Sequence, residues 1–89
     1  MKLWFYEDPG HGWLAVKRET LTRLGIADKI SCYSYQRGKT VYLEEDCDAS
    51  TFFAACKAQA IPIEVATRNS PIKRSPIRSY EHYTQGESK

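Results

Sequence analysis

The chain has 89 residues, 42% of them hydrophobic and 27% charged, which fits one small globular domain and excludes both a multidomain protein and a globally disordered one. The net charge of +2 is too small to name a partner, and no run approaches the ~20 apolar residues that cross a bilayer. Charge is unevenly placed: through Ala66 there are 8 Lys/Arg against 9 Asp/Glu, and from Thr67 onward 5 against 2, a near-neutral body with a basic tail.

Lys2 to Glu7 is rich in aromatics and reads as a strand. Leu3 and Phe5 fall on one face, Trp4 and Tyr6 on the other. Asp8-Pro9-Gly10-His11-Gly12 is turn chemistry, and the apolar run from Trp13 to Val16 completes a hairpin. Lys17 to Leu24 reads as a short helix with Leu21 and Leu24 on one face. Gly25 suits the left-handed position past its end, with Ile26 packing back beneath it.

Ile30 to Gln36 and Thr40 to Glu44 alternate as two strands joined at Arg37-Gly38-Lys39. Ser31, Tyr33 and Tyr35 are expected to share one face, and Ile30, Cys32 and Ser34 the other. Asp48 is expected to cap a helix from Ala49 to Ala60, with Phe52 and Cys56 on its buried stripe, ended by Ile61-Pro62. Ile63 to Thr67 is a last strand, with Ile63 and Val65 inward.

The expected fold is therefore α+β, in the order β-β-α-β-β-α-β. Five short, mostly antiparallel strands carry two helices on one face. Residues 1–67 form the domain and residues 68–89 a basic, extended tail. Within it, Ser70-Pro71-Ile72-Lys73 and Ser75-Pro76-Ile77-Arg78 form a near-repeat that favours polyproline-like backbone. Ser79 to Lys89 reads as a frayed end in which Tyr80 and Tyr83 are the docking candidates.

Four features carry chemistry. In Asp8-Pro9-Gly10-His11-Gly12-Trp13, His11 sits at a loop tip between glycines that permit left-handed backbone or close approach of a partner. An imidazole there binds anions or moves protons, Asp8 three residues back is placed to orient it, and Trp13 offers a stacking wall. A plain hairpin turn is the competing reading. Glu44-Glu45-Asp46-Cys47-Asp48 clusters acids, but it lacks calcium-loop spacing, and helix capping accounts for it without a metal.

Tyr33, Tyr35 and Tyr42 on neighbouring strands make either an aromatic platform for planar ligands or single-stranded nucleic acid, or a surface covered by a helix. Arg68, Lys73, Arg74 and Arg78 supply tail contacts for phosphate, or a solvated basic tail. The three cysteines are odd in number and lack C-x-x-C spacing, which points to free thiols and a cytoplasmic protein without a structural metal. The sequence calls for no cofactor.

The stretches Asp8-Pro9-Gly10-His11-Gly12-Trp13-Leu14, Ile30-Ser31-Cys32-Tyr33-Ser34-Tyr35 and Tyr42-Leu43-Glu44-Glu45-Asp46-Cys47-Asp48 resemble small phage, prophage and plasmid accessory proteins. That resemblance covers about the first half of the chain and transfers no catalytic residue. It implies a host-cell setting and an inhibitor or sequestering protein directed at a host defence system.

The expected function is non-enzymatic binding of a host protein or a small signalling ligand through His11, Trp13, Tyr33, Tyr35 and Tyr42. So small a core leaves little room for a dry catalytic pocket. The alternatives are an enzyme using His11 as general base with Asp8, and nucleic-acid binding through the tail. An open sheet edge would also admit a homo-oligomer.

Overall fold

The structure is a computed structural model that describes residues 1–69 and 76–84. β1 (Lys2–Glu7) and β2 (Gly12–Lys17) form the first hairpin, followed by α1 (Arg18–Leu24). β3 (Tyr35–Arg37) and β4 (Thr40–Glu44) form the second, followed by α2 (Asp48–Ala58), β5 (Glu64–Asn69) and β6 (Glu81–His82). Short 3-10 turns lie at Ala27–Lys29 and Pro76–Ser79.

The chain is α+β, as expected, but the sheet has six strands rather than five and is mixed. Its order is β5-β1-β2-β4-β3-β6. β1 and β5 run parallel, and the other neighbours are antiparallel.

Alternation decides what each face buries. Phe5 pairs with Leu14, Leu14 with Leu43, and Val16 with Val41, so these side chains line one face. Leu14, Val41 and Leu43 are fully buried there in a cluster with Leu21 of α1 and Phe52 and Cys56 of α2. Burying a side chain of this size contributes about 1.5–3 kcal/mol. α1 ends as its sequence dictates. Gly25 takes φ 75, its N–H donates to the Thr22 carbonyl and that of Ile26 donates to Leu21, closing the helix over a buried Ile26.

Three local expectations are corrected. The strand expected from Ile30 shrinks to Tyr35–Arg37 because the preceding polar residues serve a helix instead of a ladder. The Ser31 N–H and hydroxyl and the Ser34 hydroxyl all donate to the buried Asp48 carboxylate. Asp48 is accordingly the first residue of α2 and gives it no side-chain cap. The cap-like contacts come from Glu44, whose Oε1 accepts the N–H of Asp46 and of Cys47 at 2.9 and 3.0 Å. Val65 takes the core-side face of its partner Leu3, as expected, but lies on the outermost strand and is 40% exposed instead of buried.

The described residues beyond Asn69, 76–84, rejoin the sheet. Ile77 and Tyr83 are each 4% exposed. The Tyr83 N–H donates to Ser34 at 2.8 Å, and its hydroxyl donates to the Ala27 carbonyl at 2.6 Å. Buried Gln36 ties the same segment down through Glu81, the Thr84 backbone N–H and Arg18. The expected frayed end thus contains a strand and one core side chain, Tyr83, among its described residues, and Ile77 just before it is a second core residue. Lys73, Arg74, most of the Ser-Pro-Ile near-repeat and Gln85 to Lys89 lie outside the described residues. Among the described residues, no helix is long and apolar enough to cross a membrane.

Candidate functional site

The turn between β1 and β2 is built around one carboxylate. Asp8 Oδ1 accepts the N–H of Gly10 and of His11, both at 3.0 Å, and the Asp8 N–H donates to the His11 carbonyl at 2.9 Å. Asp side chains stabilise turns in this way because they mimic a backbone acceptor. Neither Gly10 nor Gly12 takes a positive φ. They are small for another reason. A Cβ on Gly12 would meet the Phe5 ring at 2.4 Å, and one on Gly10 would meet Arg78 Nη2 at 2.9 Å. The close approach expected of a partner is made by the protein itself.

Arg78, seventy residues from Asp8, completes the turn. Its Nε and Nη2 donate to the two Asp8 oxygens at 2.8 and 2.9 Å, a bidentate pair against a side chain with no exposed surface. Hydrogen bonding to Asp8 raises the guanidinium further above its ordinary value. Nη2 also lies 2.9 Å from His11 Nδ1. A guanidinium can only donate, so Nδ1 accepts and the neutral ring carries its proton on Nε2. The expected Asp8–imidazole contact is therefore corrected: Asp8 holds the His11 backbone and Arg78, and Arg78 holds the ring.

A second histidine faces the same space. β6 pairs His82 with Tyr35, and the two rings stack at 4.9 Å. His82 Nδ1 lies 2.8 Å from the Cys32 carbonyl, which can only accept, so Nδ1 donates, and in the neutral ring that makes Nε2 the acceptor. The two imidazoles thus have complementary tautomers.

Between them lies a cleft of about 340 Å³, lined by His11, Trp13, Tyr33, Tyr35, Glu44, Asp46, Cys47, Arg78 and His82. Trp13 is 2% exposed and forms part of the wall. Its ring stacks on His11 at 5.9 Å and meets Tyr35 edge-on at 6.2 Å. Tyr33 stands at the rim, 67% exposed.

Of the binding and tail-contact residues singled out in the sequence, His11, Trp13, Tyr33, Tyr35 and Arg78 meet at this cleft. Tyr42 does not line it. Its ring packs against Tyr6 and Tyr80 in a second hollow of about 290 Å³ that also includes Arg68, Pro76 and Ile77. Tyr42 is covered by the 3-10 turn Pro76–Ser79 and Tyr80 rather than by α1 or α2, while Tyr33 stays exposed. Arg68 lies over the Trp4 ring at 4.8 Å, so the two described tail arginines occupy different places and form no shared phosphate groove.

His82, Glu44, Asp46 and Cys47 are cleft residues that sequence reasoning passed over as ligand contacts. No period in the sequence marks His82, because the strand that carries it is only two residues long. Cys47 is no activated nucleophile. Loss of water around its sulfur, then the Glu44 carboxylate and the charges of Asp48 and Asp46, push its thiol up and keep it protonated at neutral pH. Among the described residues, no three His, Cys, Asp or Glu side chains are grouped to hold a metal ion.

No protein-family model, no curated protein and no solved structure matches this chain.

Proposed function

We propose that the chain is a small non-enzymatic binding protein that sequesters a planar, hydrogen-bonding ligand in the cleft between His11 and His82. The ligand class is a nucleobase-bearing signalling molecule. One observation carries this reading: five rings, His11, Trp13, Tyr33, Tyr35 and His82, line a single cleft of about 340 Å³, a volume within the ordinary range of small-molecule sites. The ring faces supply stacking, which is worth about 1–3 kcal/mol per base. Glu44, Asp46 and the two imidazole edges supply both donors and acceptors, as a heterocycle requires.

The mobile-element setting rests on the resemblance of the DPGHGWL turn and the YSY and YLEEDCD segments. In that setting the protein would deplete a host defence signal. A host protein inserting one aromatic side chain would present the same planar chemistry, and the exposed Tyr33 at the rim supports this second reading.

Calorimetric titration with a panel of nucleosides and nucleoside monophosphates tests the proposal. At least one member is expected to bind, with tenfold or greater weakening in Tyr33→Ala, a rim substitution that leaves the core alone, and in His82→Ala. Absence of binding across the panel, or unchanged binding in both variants, overturns it.

A further inference from the structure

We propose that the outer edge of β5 is a homodimer seam, joining two copies about a two-fold axis at Ala66 into one continuous sheet. The two sheet edges differ in kind. β6 is two residues long, a blunted edge, whereas β5 runs for six residues, Glu-Val-Ala-Thr-Arg-Asn, with neither proline nor lysine to discourage pairing. Among the described residues, no strand pairs with its outer side. Five of its six residues are exposed, and Met1, Trp4 and Val65 at this end of the sheet are exposed large hydrophobics.

The backbone restricts the register. The Glu64 N–H donates to the Met1 carbonyl at 2.8 Å, and the parallel ladder from Lys2↔Glu64 to Glu7↔Asn69 repeats that pattern every second residue. Glu64, Ala66 and Arg68 therefore turn their amides and carbonyls toward β1, and Val65, Thr67 and Asn69 turn theirs outward. An antiparallel partner must set outward residues opposite outward residues, so the axis falls on a residue and not between two.

An axis on Ala66 places Val65 opposite Thr67 of the second copy as the hydrogen-bonded pair, and both are β-branched. It also places Glu64 opposite Arg68 of the second copy, twice, at the non-hydrogen-bonded positions where side chains come closest. An axis on Val65 instead puts Ala66 opposite Glu64, and one on Thr67 puts Ala66 opposite Arg68, so either forfeits both ion pairs. Glu64, Ala66 and Arg68 share the sheet face that carries Trp4, and the contact of Arg68 with the Trp4 ring at 4.8 Å holds its guanidinium on that face. The strand is thus complementary in charge and hydrogen bonding to itself.

Sedimentation equilibrium of the full chain and a charge-swap set tests this. Wild type is expected to dimerise. Glu64→Arg alone and Arg68→Glu alone each create two like-charged cross-strand pairs, and each is expected to raise the dimer dissociation constant roughly tenfold. Mixing the two variants in equal amounts restores opposite charges at both positions, and a heterodimer of wild-type affinity is expected. Val65→Pro, which removes an outward N–H and leaves the β1 ladder its donors, is expected to give a monomer. A monomeric wild type at millimolar concentration, single variants that dimerise as wild type does, or a mixture no tighter than its components would each overturn the seam.

Discussion

Replacing Tyr83 shows most directly whether the chain end belongs to the core. The side chain is 4% exposed, its hydroxyl donates to the Ala27 carbonyl at 2.6 Å, and the Arg18 guanidinium lies over its ring at 5.1 Å. Tyr83→Phe removes one buried hydrogen bond and strands its acceptor, a loss of about 1 kcal/mol. Tyr83→Ala removes the ring as well, a loss of about 3–5 kcal/mol. A chain of this size has a total stability of roughly 4–13 kcal/mol, so the alanine variant should lie close to unfolding. Urea denaturation followed by tryptophan fluorescence measures both. A Tyr83→Ala loss under about 1 kcal/mol, or equal losses for both variants, would refute the packing argument.

The same residue sets a pH dependence. Burial outweighs the opposing Arg18 charge and pushes the Tyr83 phenol above its ordinary value of 10.0; burial, followed by Tyr80 and Tyr6, does the same to Tyr42. Unfolding releases these protons first from the unfolded chain. Stability from both groups is therefore fully present below pH 10 and is lost as pH rises through their folded values. Tyr83→Phe should flatten that alkaline decline.

Other consequences are accessible to simple assays. Ala60 holds a left-handed φ of 55 just past α2, where the Ile61 N–H reaches back to Cys56; Ala60→Gly relieves that strain and should raise stability by about 0.5–1 kcal/mol in the same urea assay. Ser34 is fully buried and joins Asp48 to the Glu44 N–H, so Ser34→Ala should cost about 2–3 kcal/mol, and a loss below 1 would contradict the network. Alkylation of Cys47 should titrate with a midpoint above the ordinary thiol value of 9.0. Glu44→Gln should bring that midpoint down, and a midpoint below 9.0 in wild type would contradict the site electrostatics.

What could be read from the sequence was what neighbours in the chain decide. The β1–β2 hairpin follows from alternation around a turn, and the end of α1 follows from Gly25 and Ile26. Two-residue spacing likewise set the faces of Leu3 and Phe5 against Trp4 and Tyr6. What stayed hidden depends on partners far away in sequence. Ser31 and Ser34 look like strand residues until Asp48 claims them. The parallel pairing of β1 with β5 leaves no local mark.

The candidate site divides in the same way. Its His11 half announced itself through Pro, two glycines and a tryptophan packed into one turn. Its other half arrives from the opposite end of the chain, Arg78 on a short 3-10 turn and His82 on a two-residue strand, both too short to show a period. The glycines flanking His11 were legible as necessary, although the reason they are needed, the Phe5 ring and the Arg78 guanidinium, was not.

The cleft depends on both chain ends meeting at one place, and aromatic NOE spectroscopy of the full chain reads that meeting directly. Cross-peaks are expected from the His82 ring to Tyr35 and from the His11 ring to Trp13, with both tyrosine and histidine resonances shifted by ring currents. A His82 ring at random-coil shifts with no contact to Tyr35 would contradict the account.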